Sequence, residues 1–198
     1  MAQAYEAALE EAWARLKDSG LEEKAANAGG TVADGSVAIE VLGRRCIVDQ
    51  RSRKVIMDGR EAGTLEAIVV LHYLSNASPA GPTGRPVSYR QLPGGNVFYG
   101  AFKRRVIDAI SGMFDRDPGA VMGALEALGA TRLGDNKYVI AALPKVPVTV
   151  VLWSGDEEVP AAASVLFDET AALFLHIEDL AEVGTMVVDA LASNAGLS

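Results

Sequence analysis

Val146-Pro147-Val148-Thr149-Val150-Val151-Leu152-Trp153 decides the fold. Val148, Val150 and Leu152 alternate with Thr149, Val151 and Trp153, so a strand built from this run shows a largely apolar side chain to both faces. An edge strand, or a strand with one wet face, alternates apolar with polar, whereas a strand apolar on both sides belongs inside a sheet that is covered above and below. Pro144-Lys145 separates it from a second β-rich run, Lys137 to Leu143, and the pair reads as a hairpin.

Working outward, Val37 to Leu42, Arg45 to Asp49 and Lys54 to Met57 are short β-type runs split by turn residues, which predicts an antiparallel meander. Helical spacing dominates elsewhere. Tyr5, Ala8, Leu9, Ala12, Trp13 and Leu16 share one face of a helix over 4–18, and Leu21 to Asn27 reads as a second short helix ended by Gly29-Gly30. Leu65, Ile68, Val69 and His72 share a face of a helix over 62–75. Asn96 to Met113 reads as the longest helix, and Pro118 to Leu128 as another with Asp117 as its N-cap. Leu173 to Ile177 and Leu180 to Leu191 give helical patterning to the end of the chain. Three prolines and two glycines between Asn76 and Pro86 mark a loop, with too little chain on either side for two cores. The expectation is a single α+β domain over 1–198, a mainly antiparallel sheet covered by helices, with the helical segment 1–28 packed on it.

Composition narrows the function classes. Of 198 residues, 49% are hydrophobic and 22% charged, which argues against a disordered chain. No apolar run approaches the roughly 18 residues of a membrane helix, and Met1 to Glu6 lacks the basic and apolar regions of a secretion signal, so a cytoplasmic protein without membrane contact is expected. The net charge is −8, and residues 150–198 carry nine acidic and no basic side chains. The only dense basic run is Lys103-Arg104-Arg105, too little to neutralise a phosphate backbone, so nucleic acid is not an expected partner. Cys46 is the single cysteine, which excludes an intrachain disulfide and any site built from several thiolates of one chain. Its neighbours Arg44 and Arg45 do not outweigh the reading of a buried, inert thiol in a strand.

Two constellations carry chemistry. Ser88 to Asn96 contains Pro93-Gly94-Gly95-Asn96 just before the long helix, where paired glycines turn N–H groups toward one point and the helix end adds its own donors. With Arg90 this is a candidate cradle for a carboxylate or phosphate, set against a plain tight turn; neither a Walker loop nor a dinucleotide fingerprint is present. Trp153-Ser154-Gly155-Asp156-Glu157-Glu158, at the end of the buried strand, places carboxylates where ligand loops often lie, with Asp168 further on. Asp156, Glu158 and Asp168 are the candidate metal ligands, set against a solvated acidic turn held by Asp156 and a helix cap at Asp168. Of the two histidines, His72 is the better ligand candidate because it lies within a helix; the alternative is a hydrogen-bonded core histidine. His176 falls near a junction of helical segments.

Ile68 to Leu74, Val87 to Gly95, Leu143 to Val148, Leu152 to Ala161 and Val165 to Asp168 occur in an order that resembles the domain-of-unknown-function family 3786, over about residues 20 to 190. The resemblance implies relatives mainly in anaerobic bacteria and archaea, some resembling fusions to iron–sulfur domains, and it supplies no catalytic residues. Together with the motifs it gives the expectation of a cytoplasmic small-molecule or cofactor-binding protein of anaerobic metabolism. The expected ligand is a small anion, with a corrinoid or other tetrapyrrole as the specific cofactor. The expected site joins His72, Tyr73, Arg90, Gly94, Gly95, Asn96 and Trp153. Two rival expectations are a metal-dependent hydrolase or lyase using the acidic loop, and an acidic adaptor for a basic or redox protein partner.

Overall fold

The computed structural model describes residues 2–17 and 20–197. Within them the meander expected after residue 30 is a five-stranded antiparallel sheet in chain order: β1 (Thr31–Ala33), β2 (Ser36–Val41), β3 (Arg44–Asp49), β4 (Lys54–Met57) and β5 (Arg60–Glu61). Three of its four turns have two residues, Asp34-Gly35, Leu42-Gly43 and Asp58-Gly59, each with positive φ at both positions. That is the type I′ geometry whose twist matches a hairpin, and glycine adopts its second position at no steric cost. Leu42 is held in this unfavoured region by complete burial and by donating its N–H to Ala142 O at 3.0 Å.

The second sheet has the order β6 (Pro86–Ser88), β10 (Ala162–Asp168), β9 (Val146–Trp153), β8 (Lys137–Leu143) and β7 (Thr131–Arg132), all antiparallel. The doubly apolar run is its central strand, with Val146, Val148, Val150 and Leu152 buried. Leu143 faces Val146 across the Pro144-Lys145 turn. The strand character of Ala162–Asp168 goes beyond the sequence reading, which has Asp168 as a helix cap; Asp168 instead ends β10 and faces Pro86.

Helices cover both sheets. α1 (Ala2–Lys17) packs on α3 (Thr64–Ser75), and α2 (Leu21–Asn27) joins α1 to the first sheet. α3 is buried nearly all round: Ala67 through Leu71, Tyr73 and Leu74 are buried. The expected longest helix is three pieces in one uninterrupted run, α4 (Gly95–Phe102), a π turn (Lys103–Ile107) and α5 (Asp108–Arg116). α6 (Pro118–Ala127) starts as read, with the Asp117 carboxylate accepting from Ala120 N at 2.8 Å. Residues 173–177 are not helical throughout: a 3₁₀ turn (Ala171–Leu173) precedes α7 (Ile177–Ala195), whose N-cap is His176. One contiguous core runs from Ala12 to Leu191. Among the described residues, no helix is long and apolar enough to cross a membrane.

Candidate functional site

The first turn of α7 is the hub of the candidate site. Asp179, nearly buried there, sets both carboxylate oxygens 3.0 Å from His72 Nδ1 on α3. A carboxylate accepts only, so Nδ1 carries a proton, which fixes Nε2 as the nitrogen through which the ring can meet a ligand or metal. Among the described residues the only buried side-chain polar atoms without a partner are Ser75 Oγ and Tyr138 Oη. His72 Nε2 makes no hydrogen bond and therefore reaches accessible space, through a side chain that is 18% exposed. Asn76 at the end of α3 donates to Phe174 O just before α7, and Tyr89 Oη donates to Ile177 O at its first residue, so the entry to α7 is tied from two directions.

On the other side of that turn lies an apolar slot of about 140 Å³ between α4, the π turn and α7. Tyr89 and Phe102 form part of its wall as a parallel stack, centroids 4.1 Å apart and planes 4° off. Burial, with Glu178 adding to it, pushes the Tyr89 hydroxyl up to about 12. Arg105 and Glu178 also line the slot. A larger groove, about 640 Å³, lies between α1 and the β3–β4 turn and is lined by Trp13, Arg51 and Arg53.

The other expected site residues do not converge. Tyr73 is fully buried and is a structural pin: its hydroxyl donates to Ala28 O at 2.8 Å and accepts from Lys145 N at 3.1 Å, while burial pushes its acidity far down. Arg90 lies over the Tyr99 ring, 4.5 Å from the centroid. Gly94 caps α4 in the left-handed region (φ 79), and Gly95 is buried so tightly that a Cβ would sit 1.8 Å from Tyr89 O. Two N–H groups of this turn are used internally, Gly95 N to Leu92 O and Val97 N to Gly94 O. Asn96 is exposed. Trp153 faces Ala162, whereas Ser88, next to the Tyr89–Asn96 segment, faces Leu166. The four-residue offset separates the two levels by roughly 14 Å along β10.

The acidic residues divide likewise. Asp156 is exposed and accepts from Glu158 N at 2.9 Å and Val159 N at 2.8 Å, which hold its carboxyl below the usual carboxylate range. Glu157 and Glu158 are exposed. Asp168 is the last residue of β10, roughly 20 Å along the strand from Ala162, where it binds Thr83, Gly84 and Thr170. Asp156 and Glu158 thus share a turn with each other and not with Asp168. Among the described residues, no group of three or more His, Cys, Asp or Glu is placed to hold a metal ion. His176 is exposed at the N-cap and makes no side-chain cap bond.

Asp179, Arg105, Glu178 and Phe98 are the site residues that sequence reasoning missed. Asp179 and His72 are 107 positions apart, and the only local signal was an acidic residue in the first turn of a helix.

Fold and site together define an α+β protein of two antiparallel sheets, with a carboxylate-held histidine beside an aromatic slot. The chain belongs to the family described as Domain of unknown function (DUF3786), whose model matches residues 20–190. His72, Asp179 and the slot all lie inside that span, whereas Trp13, in the wall of the larger groove, lies outside it. No curated protein and no solved structure matches the chain.

Proposed function

We propose that this is a binding protein for a small molecule or metal-containing cofactor, contacted through His72 Nε2, and that it works in the cytoplasm of an anaerobe. The single observation that carries the reading is the His72–Asp179 pair. A histidine that ligates a metal or orients a ligand characteristically gives its other ring N–H to a carboxylate, which fixes tautomer and ring direction. A histidine serving only the core has no need of an accessible second nitrogen. The residues expected to surround a corrinoid or other tetrapyrrole do not fit as a set: Tyr73 is sealed in the core, and Trp153 stands well along the sheet from Arg90. The reading therefore rests on His72 and leaves the macrocycle aside.

A metal-dependent hydrolase or lyase centred on the acidic loop gains no support from the geometry, since Asp156 is committed to its turn and Asp168 to another loop. The adaptor is favoured by one observation: Trp153 and Val159, 46% and 60% exposed, flank the acidic triplet.

The test is purification under anaerobic conditions followed by absorbance spectroscopy and mass spectrometry of released molecules. Wild-type protein should carry a bound species that His72→Ala loses while far-UV circular dichroism stays unchanged. Asp179→Asn should weaken binding by about 10- to 100-fold. Equal retention in wild type and His72→Ala would overturn the reading.

A further inference from the structure

We propose that the slot between α4, the π turn and α7 is a binding site for an α-amino acid with a benzene-sized apolar side chain. This inference stands independently of the His72 reading. Size sets the apolar part of the ligand. An apolar cavity of roughly 150 Å³ admits a benzene ring, and the slot measures about 140 Å³. Phe98, Ala101, Val106 and Ala181 supply aliphatic and aromatic wall around the Tyr89–Phe102 stack.

The backbone is arranged to keep this space. A π turn adds a residue to the helical repeat and is found frequently at functional sites; here it spans Lys103–Ile107 and carries Arg105 and Val106 to the slot. α7 approaches closely only because residue 184 is glycine, where a Cβ would lie 2.8 Å from the Phe102 ring. Phe98, 40% exposed, and the exposed Ala101 stand at the open side.

The two charged groups lining the slot are of opposite sign. Arg105 uses Nη2 on Glu182 (3.2 Å) and on Thr185 Oγ1 (3.1 Å), which leaves Nε and Nη1 as donors for a carboxylate. Glu178 is exposed and makes no ion pair or hydrogen bond among the described residues. It precedes Glu182, the ion-pair partner of Arg105, by one turn of α7, about 5.4 Å along the axis, and lines the slot together with Arg105. A guanidinium and a free carboxylate at the mouth of an apolar slot complement the carboxylate and ammonium of an amino acid. A plain aryl acid would leave Glu178 unmatched and repelled.

The experiment is calorimetric titration, with two-dimensional NMR to map the contacts, using L-phenylalanine, phenylacetate and phenethylamine. Phenylalanine should bind at least about tenfold more tightly than either of the others, shifting resonances around Ala101, Arg105 and Ala181. Arg105→Gln should bring phenylalanine down to the level of phenethylamine, and Glu178→Gln should bring it down to that of phenylacetate. Ala101→Phe, made at an exposed helical position and checked for fold by circular dichroism, should fill the slot and abolish binding of all three. Absence of phenylalanine binding, phenylacetate or phenethylamine binding as tightly as phenylalanine, or undiminished binding to folded Ala101→Phe would overturn the proposal.

Discussion

Asp168→Ala tests whether that carboxylate anchors a loop. Asp168 is 4% exposed and accepts from Thr83 N (3.1 Å), Gly84 N (2.7 Å) and Thr170 N (3.1 Å), as well as from the Thr83 and Thr170 hydroxyls at 3.3 and 2.7 Å. It thereby ties the proline-rich loop to the end of β10, while Lys145 Nζ holds the same loop by the carbonyls of Ser78, Pro79 and Ala80. Removing the carboxylate strands three backbone donors. Thr83 and Gly84 are exposed enough to turn toward water, so each donor costs near the lower end of its range, about 1 kcal/mol, and the three together about 3 kcal/mol. For a chain of this length that is a loss of roughly 6–12 °C in Tm. Burial raises the Asp168 pKa, but the hydrogen bonds from Thr170, Thr83 and Gly84 outweigh it and hold the group below the ordinary carboxylate value. With the folded pKa depressed, this contribution is complete above the unfolded value of about 4 and is lost as pH falls through the folded one. Urea unfolding at pH 7 and across pH 2–5 measures both effects. A loss under about 1 kcal/mol at pH 7, or an acid limb identical in wild type and Asp168→Ala, would refute the anchor.

Two further outcomes are expected. Gly95→Ala should destabilise by at least about 2 kcal/mol in urea, because its Cβ would overlap Tyr89 O; helix propensity alone gives the opposite sign, so a stabilised variant would show that α4 relaxes away from Tyr89. Burial, with Glu66 adding and Arg44 opposing, pushes the Cys46 thiol up to about 12, so it should resist maleimide at pH 7.5 in the native protein and react completely in denaturant. Labelling of native protein within minutes would contradict that burial.

The sequence alone determined the elements whose physics is local. The doubly apolar pattern of Val146–Trp153 placed a central strand, Asp117-Pro118 placed a helix start, and the Gly155–Val159 turn was readable because an Asp side chain satisfies nearby backbone donors. Ala162–Asp168 escaped because its pairing partners are Trp153–Val148 and Ser88–Pro86, and strand character conferred by distant hydrogen bonds leaves little trace in the run itself. The π turn was hidden for a related reason: Lys103–Ile107 keeps a helical pattern, and its extra residue accompanies Phe102 and Val106 packing around Gly184. His72 was legible as a candidate, but its orientation was not, because Asp179 is brought to it only when α7 closes over α3. The same closure assembles the slot from residues 89–106 and 178–185. Hydrophobic periodicity fixes which face of a helix is buried; which other helix covers that face, and hence which charges meet, is decided by packing between segments far apart in the chain.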